Sequence, residues 1–556
     1  MVINTDLFKM INMKKLFNIN IYTLFLTFAV LATIAGCKKV NDYKADGNPQ
    51  LFRPGSVKVS GGQTTAAVTW TNSVQAPAGV KYKYTIQFSR DTTFATVDFT
   101  LTSDSTGVIA TSDSLKIRTT YWARVKTNAT ADRAASEWAE SAHFQLTGEQ
   151  YFLPVRDLEI KETAVTLRWN STPGLSKITL TPGSGTPFDV TLTASDLTAG
   201  LKLITGLTAG TKYSAELYAG TKSKGFVTFT LPAATVYTTI LNAGADINAT
   251  IAAAADGAVI GLNPGTYNTG AVITTILKKT VTLKSTSGNP SDTKVIFKEM
   301  TLKGTGAGLN VSGIEFDGTT NAAAYFVNCT GALADAELCT YTQVTVENCN
   351  IHDVTTAFFR GNRGAAAGDY KMTQVSVKTT TAYNIGSLLN FTCFTFDKMS
   401  LGSFTMSKST FYNYGNQLIS HATTVSGTPT TLSIDLCTLN NFGASNKNAI
   451  FNASANPTTL SVTNCIIGNI PRPAGAVATA AANGTASTFT FSNNDTFKAA
   501  TAVGGSTAVT FPTGSFNQTI DLGWTATTTD FTLPVGSALR TASPASGPIG
   551  DPRWAY

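Results

Sequence analysis

VTVENCNIHDV (344–354), VSVKTTTAYNI (375–385), FTMSKSTFYNY (404–414), LSIDLCTLNNF (432–442) and LSVTNCIIGNI (460–470) align without gaps, their starts 31, 29, 28 and 28 residues apart. Positions 1 and 3 are apolar, 6 is small, 8 is mostly apolar, 10 is Asp or Asn, and 11 is apolar or aromatic. Alternation holds from 1 to 3, breaks, resumes from 6 to 10 and breaks again. A straight hairpin would not break parity at the same places five times. A coil of strand, bend, strand, bend does, and each inward position then falls on one column of a stack. The repeat therefore predicts a parallel β-helix. Column ten reads Asp353, Asn384, Asn413, Asn441 and Asn469. At a tight bend Asn tolerates left-handed backbone angles, and its amide can donate and accept along the stack. These five are expected to form a hydrogen-bonded ladder. Flanking rungs are read at LNVSGIEFDG (309–318) and TFTFSNNDTF (488–497).

Beyond the bend, Phe358-Phe359-Arg360, Leu388-Leu389-Asn390, Leu418-Ile419-Ser420 and Ile450-Phe451-Asn452 each set an apolar pair before a polar residue. Stacking the pairs is expected to place Arg360, Asn390, Ser420 and Asn452 in one outward file, with His421 adjoining. Arg363, Asp369 and Lys371 fall in a Gly/Ala-rich insertion, GNRGAAAGDYKM (361–372). Such a file is either the solvated surface any β-helix needs or a regularly spaced row of groups for an extended sugar chain. Cys349, Cys437 and Cys465 share column six, where stacked core thiols are expected; the disulfide state of Cys329, Cys339 and Cys393 stays open. No CxxC pair and no Cys/His cluster with zinc spacing occurs, so neither a structural metal nor a cofactor is expected.

The 556 residues are too many for one small domain, and only 13% are charged. The formal charge is +7, or +5 (38 Lys+Arg against 33 Asp+Glu) once residues 1–36 are set aside, too diffuse for nucleic-acid binding. Beyond residue 36 no apolar run approaches the roughly 20 residues that span a bilayer. A content of 43% hydrophobic and 10% aromatic residues argues against disorder and for an exported β-rich protein. Met13-Lys14-Lys15, the apolar Ile21–Ala35 and Ile34-Ala35-Gly36-Cys37 resemble a bacterial lipoprotein leader. The resemblance implies cleavage after residue 36 and acylation of Cys37, with 37–50 as a polar tether and the membrane engaged through the lipid alone.

Residues 51–147 alternate in short runs, as in Tyr82/Tyr84/Ile86/Phe88. With Trp70, Leu115, Tyr121 and Ser136-Glu137-Trp138 this stretch resembles a fibronectin type III domain, which implies a core role for Trp70 and a tyrosine corner at Tyr121. A second, weaker copy spans 152–231, with Trp169 and Leu207 to Tyr213. Each is a spacer or a glycan-binding module, spacer being the simpler reading. From 235 to 505 the chain resembles a right-handed parallel β-helix of the pectin lyase type, with the Ala-rich DINATIAAAADG (246–257) as the helix capping its first rung. Residues 506–556 close it and end in Ile549-Gly550-Asp551-Pro552-Arg553-Trp554, where Asp551 and Arg553 are expected to pair.

The whole order resembles uncharacterised Bacteroidota surface lipoproteins that join a lipobox, fibronectin-like modules and a parallel β-helix of unknown function. That resemblance implies an outer-membrane, surface-exposed lipoprotein whose partner is a polysaccharide, of acidic or plant type. Two functions are carried forward. One is glycan binding by Arg360, Asn390, Ser420, His421 and Asn452. The other is β-elimination by a polysaccharide lyase, with Arg360, Arg363 or Lys371 as base. Acidic residues of the repeat are scattered and form no calcium cluster, which favours binding; a structural or adhesive role is the third possibility.

Overall fold

The computed structural model describes residues 49–73, 80–387, 389–425 and 429–555. The leader, Cys37 and most of the tether lie outside the described residues. Among those described, no helix is long and apolar enough to cross a membrane.

The chain is all-β and divides into two compact units after Gln150. The first is a fibronectin type III-like sandwich. Gly55–Gly61, Thr65–Thr71 and Gly107–Thr111 form one sheet; Phe99–Ser103, Tyr84–Ser89, Thr120–Thr127 and Ala139–Glu140 form the other. Alternation puts Trp70, Ile86, Phe88, Tyr121 and Val125 into one core. The Lys116 backbone N–H donates to the Tyr121 hydroxyl at 3.2 Å, closing a tyrosine corner.

The second unit opens with another such sandwich, where Thr208 N–H donates to the Tyr213 hydroxyl at 3.0 Å. Its sheets are Phe188–Thr191, Leu175–Pro182, Lys212–Ala219 and Lys222–Thr230, and Leu201–Thr205 with Ala164–Arg168. A parallel β-solenoid of about eight turns follows. Its three faces carry ten, nine and eight strands. In the turn carrying Asn384 they are Tyr370–Lys378, Thr381–Ile385 and Thr392–Thr395. Every strand of a face pairs in parallel with its equivalent one turn away, so backbone polar groups are satisfied between turns rather than within them. Inward positions form aromatic columns: Phe326, Phe358 and Phe394 stack in succession at centroid spacings of 5.1 and 4.9 Å. Each fully buried ring contributes about 2–3 kcal/mol of hydrophobic stabilisation.

The open N-terminal end is covered by the helix Ile247–Ala253, which buries Ile247 and Ile251. Asp246 accepts the Ala249 N–H at its start, and Lys279 donates to the Ala252 and Ala254 carbonyls at its end, matching both poles of the helix dipole. The far end is closed by bridges from Thr510 to Ala480 and from Gln518 to Asp495. The chain then runs back outside the second face. Trp524, Phe531, Leu533, Leu539 and Ile549 cover the outward side chains Tyr412, Ile466 and Phe497. The final turn is fixed by Asp551, which is 2% exposed, accepts from Thr410 at 2.7 Å and pairs with Arg553.

Both bends before and after the second face are left-handed. In column ten φ is +58° at Asp353, +54° at Asn384, +52° at Asn413, +57° at Asn441 and +55° at Asn469. Asn384 donates to Asp353 at 2.9 Å, Asn413 to Asn384 at 3.4 Å, and Asn441 to Asn413. Asn469 leaves the series, donating to Asn440 at 2.7 Å and to the Trp524 carbonyl. Column six is a second internal ladder. Cys349 N–H donates to Thr380 Oγ1, Thr380 N–H to Ser409 Oγ, Cys437 N–H to Cys465 Sγ and Cys465 N–H to Asn494 Oδ1. All six described cysteines are buried and unbridged. The rung after Asn469 begins with the strand Thr488–Ser492, in which Phe489 pairs with Leu460.

Candidate functional site

The third face carries the outward file. Arg360 registers with Thr395, Thr395 with Ser420, Ser420 with Asn452, and Asn452 with Asn483. Asn390 is therefore not in it. The Asn384 turn is lengthened between Ile385 and Thr392, so Cys393-Phe394-Thr395 supplies the apolar pair and polar residue there; Leu388 of the expected pair lies outside the described residues. Asn390 is exposed on that loop. His421 is also out of the file: it is 3% exposed, with Nε2 against the Met399 carbonyl at 3.0 Å, and burial pushes its pKa below the ordinary histidine value. Ser420 keeps its place but is committed to Asp397, to whose two oxygens it donates at 2.9 and 3.1 Å. Asn452 is half-buried and accepts from Asn483 at 3.2 Å.

Arg360 differs from the other candidate cations. Its guanidinium lies over the Tyr325 ring, 4.9 Å from the centroid, and Nε donates to Asn362 at 3.2 Å. No carboxylate pairs with it among the described residues. Arg363, by contrast, is bound to Asp335 through Nε and Nη2 at 3.0 and 2.7 Å, a contact that raises its pKa further. Lys371 is exposed on the first face, registered with Thr340 and Ser400, and so belongs to another side of the solenoid. All six cysteines among the described residues are buried, and burial pushes Cys349 up to about 12.

A second cluster, on the second face, escaped the sequence reading. Turn stacking brings Lys294, Glu315, Asp317, His352 and Asp353 together. Lys294 Nζ lies 2.7 Å from Glu315 and 3.4 Å from Asp317; His352 lies between Asp353 (2.7 Å) and Glu315 (3.2 Å). Burial would raise the Asp317 carboxyl, but bonds from Thr319 and Lys294 and the nearby His352 hold it below the usual range. Donor atoms of Glu315, Asp317 and His352 lie within 4.8 Å of one another, a set able to hold a divalent cation if Lys294 gave way. As folded, the lysine ammonium supplies that positive charge. The signal was position nine of the repeat, where His352, Tyr383 and Tyr412 stack at 4.8 and 5.1 Å with interplanar angles of 6° and 11°. Because these rings cover one another's faces, they offer edges rather than a platform for a sugar ring.

No family model matches the chain, and no curated protein sequence matches it. Among solved structures, a two fibronectin type III domain segment from chicken tenascin is 18% identical over 32% of this chain and 99% of that one, with a TM-score of 0.17. The FN1–FN3 domains of chicken CNTN1 are 14% identical over 34% of this chain and 68% of that one, at 0.15.

Proposed function

We propose that this is a lipid-anchored envelope protein that binds an extended acidic polysaccharide along the third face of its solenoid. The observation that carries the reading is Arg360: a half-buried guanidinium 4.9 Å from the Tyr325 ring centroid, with no carboxylate partner among the described residues, in a polar file that continues through Thr395 and Asn452 to Asn483. A carboxylate accepts two parallel N–H donors from such a fork. Neighbouring turns repeat at about 4.8 Å, which lets successive sugar hydroxyls meet successive side chains. β-Elimination is less well served, because Arg363 is spent on Asp335 and Lys371 lies on another face.

The test is a polysaccharide panel scored for retention and for the ultraviolet absorbance of unsaturated products. Arg360→Ala, Thr395→Ala and Asn452→Ala together should abolish most retention without loss of fold, and each alone should weaken it several-fold. Asn390→Ala, off the file, should change nothing. Retention untouched in the triple variant would exclude the face, and unsaturated product lost with Arg360→Ala alone would make the protein a lyase. The anchor has its own check: Cys37→Ser should shift the protein from the membrane fraction to the soluble one.

A further inference from the structure

Three successive turns of the solenoid meet in the cluster on the second face. The strand Thr293–Ile296 supplies Lys294, Glu315–Asp317 supplies two carboxylates, and Asn350–Val354 supplies His352 and Asp353. Glu315 and Asp317 both point outward because they flank Phe316, whose ring fills the core. Their side chains are 19% and 16% exposed, so the spot opens to solvent. The Lys294 ammonium marks the place of a cation there, but it is carried on a flexible, 36% exposed side chain that can leave without disturbing the core.

The decisive group is His352. It is 7% exposed, and stacking on Tyr383 at 4.8 Å fixes the plane of its ring. A neutral imidazole carries a single N–H. Nδ1 makes the shorter contact, 2.7 Å to Asp353, against 3.2 Å from Nε2 to Glu315, which puts the proton on Nδ1 and turns the Nε2 lone pair towards a carboxylate. Two acceptors so placed call for a cation between them. Lys294 pairs with Glu315 and Asp317 and, among the described residues, donates nothing to Nε2. The ladder column gives a second, independent sign. Its other four members are Asn384, Asn413, Asn441 and Asn469, and the one Asp stands beside the histidine. The ladder itself needs only an acceptor for Asn384 at this position, which an amide also offers. A carboxylate on the far nitrogen is the arrangement that fixes the tautomer of a metal-ligating histidine and raises its basicity.

We propose that this cluster is a zinc site, in which His352 Nε2, Glu315 and Asp317 take the ion as Lys294 swings into solvent, and Asp353 positions the imidazole. An imidazole ligand favours zinc over calcium and magnesium, which take oxygen. At zinc–ligand distances of about 2.1 Å, tetrahedral ligands stand roughly 3.4 Å apart. The His352–Glu315 separation of 3.2 Å already suits that spacing, and the whole set lies within 4.8 Å, so rotation of the outward Asp317 side chain closes it. The ion ties two turns together, and three protein ligands leave its fourth position open to water.

The experiment strips the full chain with EDTA and titrates it with zinc chloride by calorimetry, with calcium chloride as the comparison probe, and records melting temperatures with and without zinc. One zinc per chain should bind at least tenfold more tightly than calcium and raise the melting temperature. Lys294→Met removes the competing ammonium and should tighten zinc binding at least threefold. His352→Gln should weaken it at least tenfold and abolish the rise in melting temperature. Lys294→Met leaves every ligand in place, so its result decides the matter even where His352→Gln fails to fold. Zinc that does not bind, that calcium matches, that Lys294→Met leaves unchanged or weakens, or that a folded His352→Gln still holds would overturn the proposal and leave the cluster as an ion network of side chains alone.

Discussion

Asn413 accepts from Asn441 and donates to Asn384 while holding φ at +52°. Leu at this position would leave an amide unpaired on each side and force a branched apolar side chain into a left-handed bend. Asn413→Leu should therefore cost about 2–3 kcal/mol in urea unfolding, and Asn413→Gly less, since glycine relieves the backbone but not the amides. This column was legible because backbone geometry and side-chain chemistry impose the same residue at a fixed interval. Asn469 shows where that logic ends: Asn440, one position earlier on the preceding turn, offers a better acceptor. Asp495 was not legible, having the look of another polar position in a turn. It is fully buried, with Oδ1 accepting the Ile520 N–H and Oδ2 unpaired, and burial raises its pKa to about 6, with Asp521 adding to the rise. A carboxyl raised in the folded state favours folding most while protonated in both states. The contribution of Asp495 to stability is thus greatest below about pH 4 and is lost as pH rises through 6, by on the order of 2–3 kcal/mol. Melting curves from pH 4 to 7 should show this fall in wild type and not in Asp495→Asn; parallel curves would remove Asp495 from the account.

Strands of the second and third faces were placed correctly wherever consecutive turns have nearly equal length, because period-two alternation then carries the register forward. The Asn384 turn broke that condition. The sequence Leu388-Leu389-Asn390 mimics the apolar-apolar-polar signature, while the true element starts at Thr392. The Lys294–Glu315–His352 cluster escaped for a related reason: 37 residues separate Glu315 from His352, and only stacking brings them to 3.2 Å. The closing segment was legible as an ion pair but not as a cover. Asp551 is its anchor: Thr410 Oγ1 and the Arg553 guanidinium both donate to its carboxylate, and its own N–H donates to Thr438. Removing it leaves a partly buried guanidinium unpaired, so Asp551→Ala should cost about 3 kcal/mol and free the tail to uncover Tyr412 and Phe497. Increased binding of a hydrophobic dye, with proteolysis between 519 and 550, would report that release. Unchanged dye binding would mean that Phe531 and Ile549 hold the segment unaided.

At the scale of the molecule, a solenoid stabilises each turn only through its neighbours, so its cooperativity is set locally rather than by one closed core. The first sandwich has a core of its own. The second also does, yet it belongs to the same compact unit as the solenoid, which a spacer would not require. Its junction is polar. Lys284–Glu162 and Lys408–Asp157 have side chains 26–37% exposed, and Lys378 lies 3.9 Å from Asp157 at 43% exposure. Pairs so exposed contribute about 0–1 kcal/mol each, and salt weakens them as the screening length shrinks from about 10 Å at 0.1 M to about 3 Å at 1 M. Coupling between the second sandwich and the solenoid should accordingly depend on salt. In calorimetry of residues 151–556 the two should unfold close together at 0.05 M NaCl and draw apart at 1 M. Asp157→Asn with Glu162→Gln should produce the same separation already at low salt, because it removes both carboxylates without disturbing either core. Transitions that stay merged under both treatments would mean that the junction is held by apolar packing around Leu158 and Pro232, and the ion pairs would then be passengers on it.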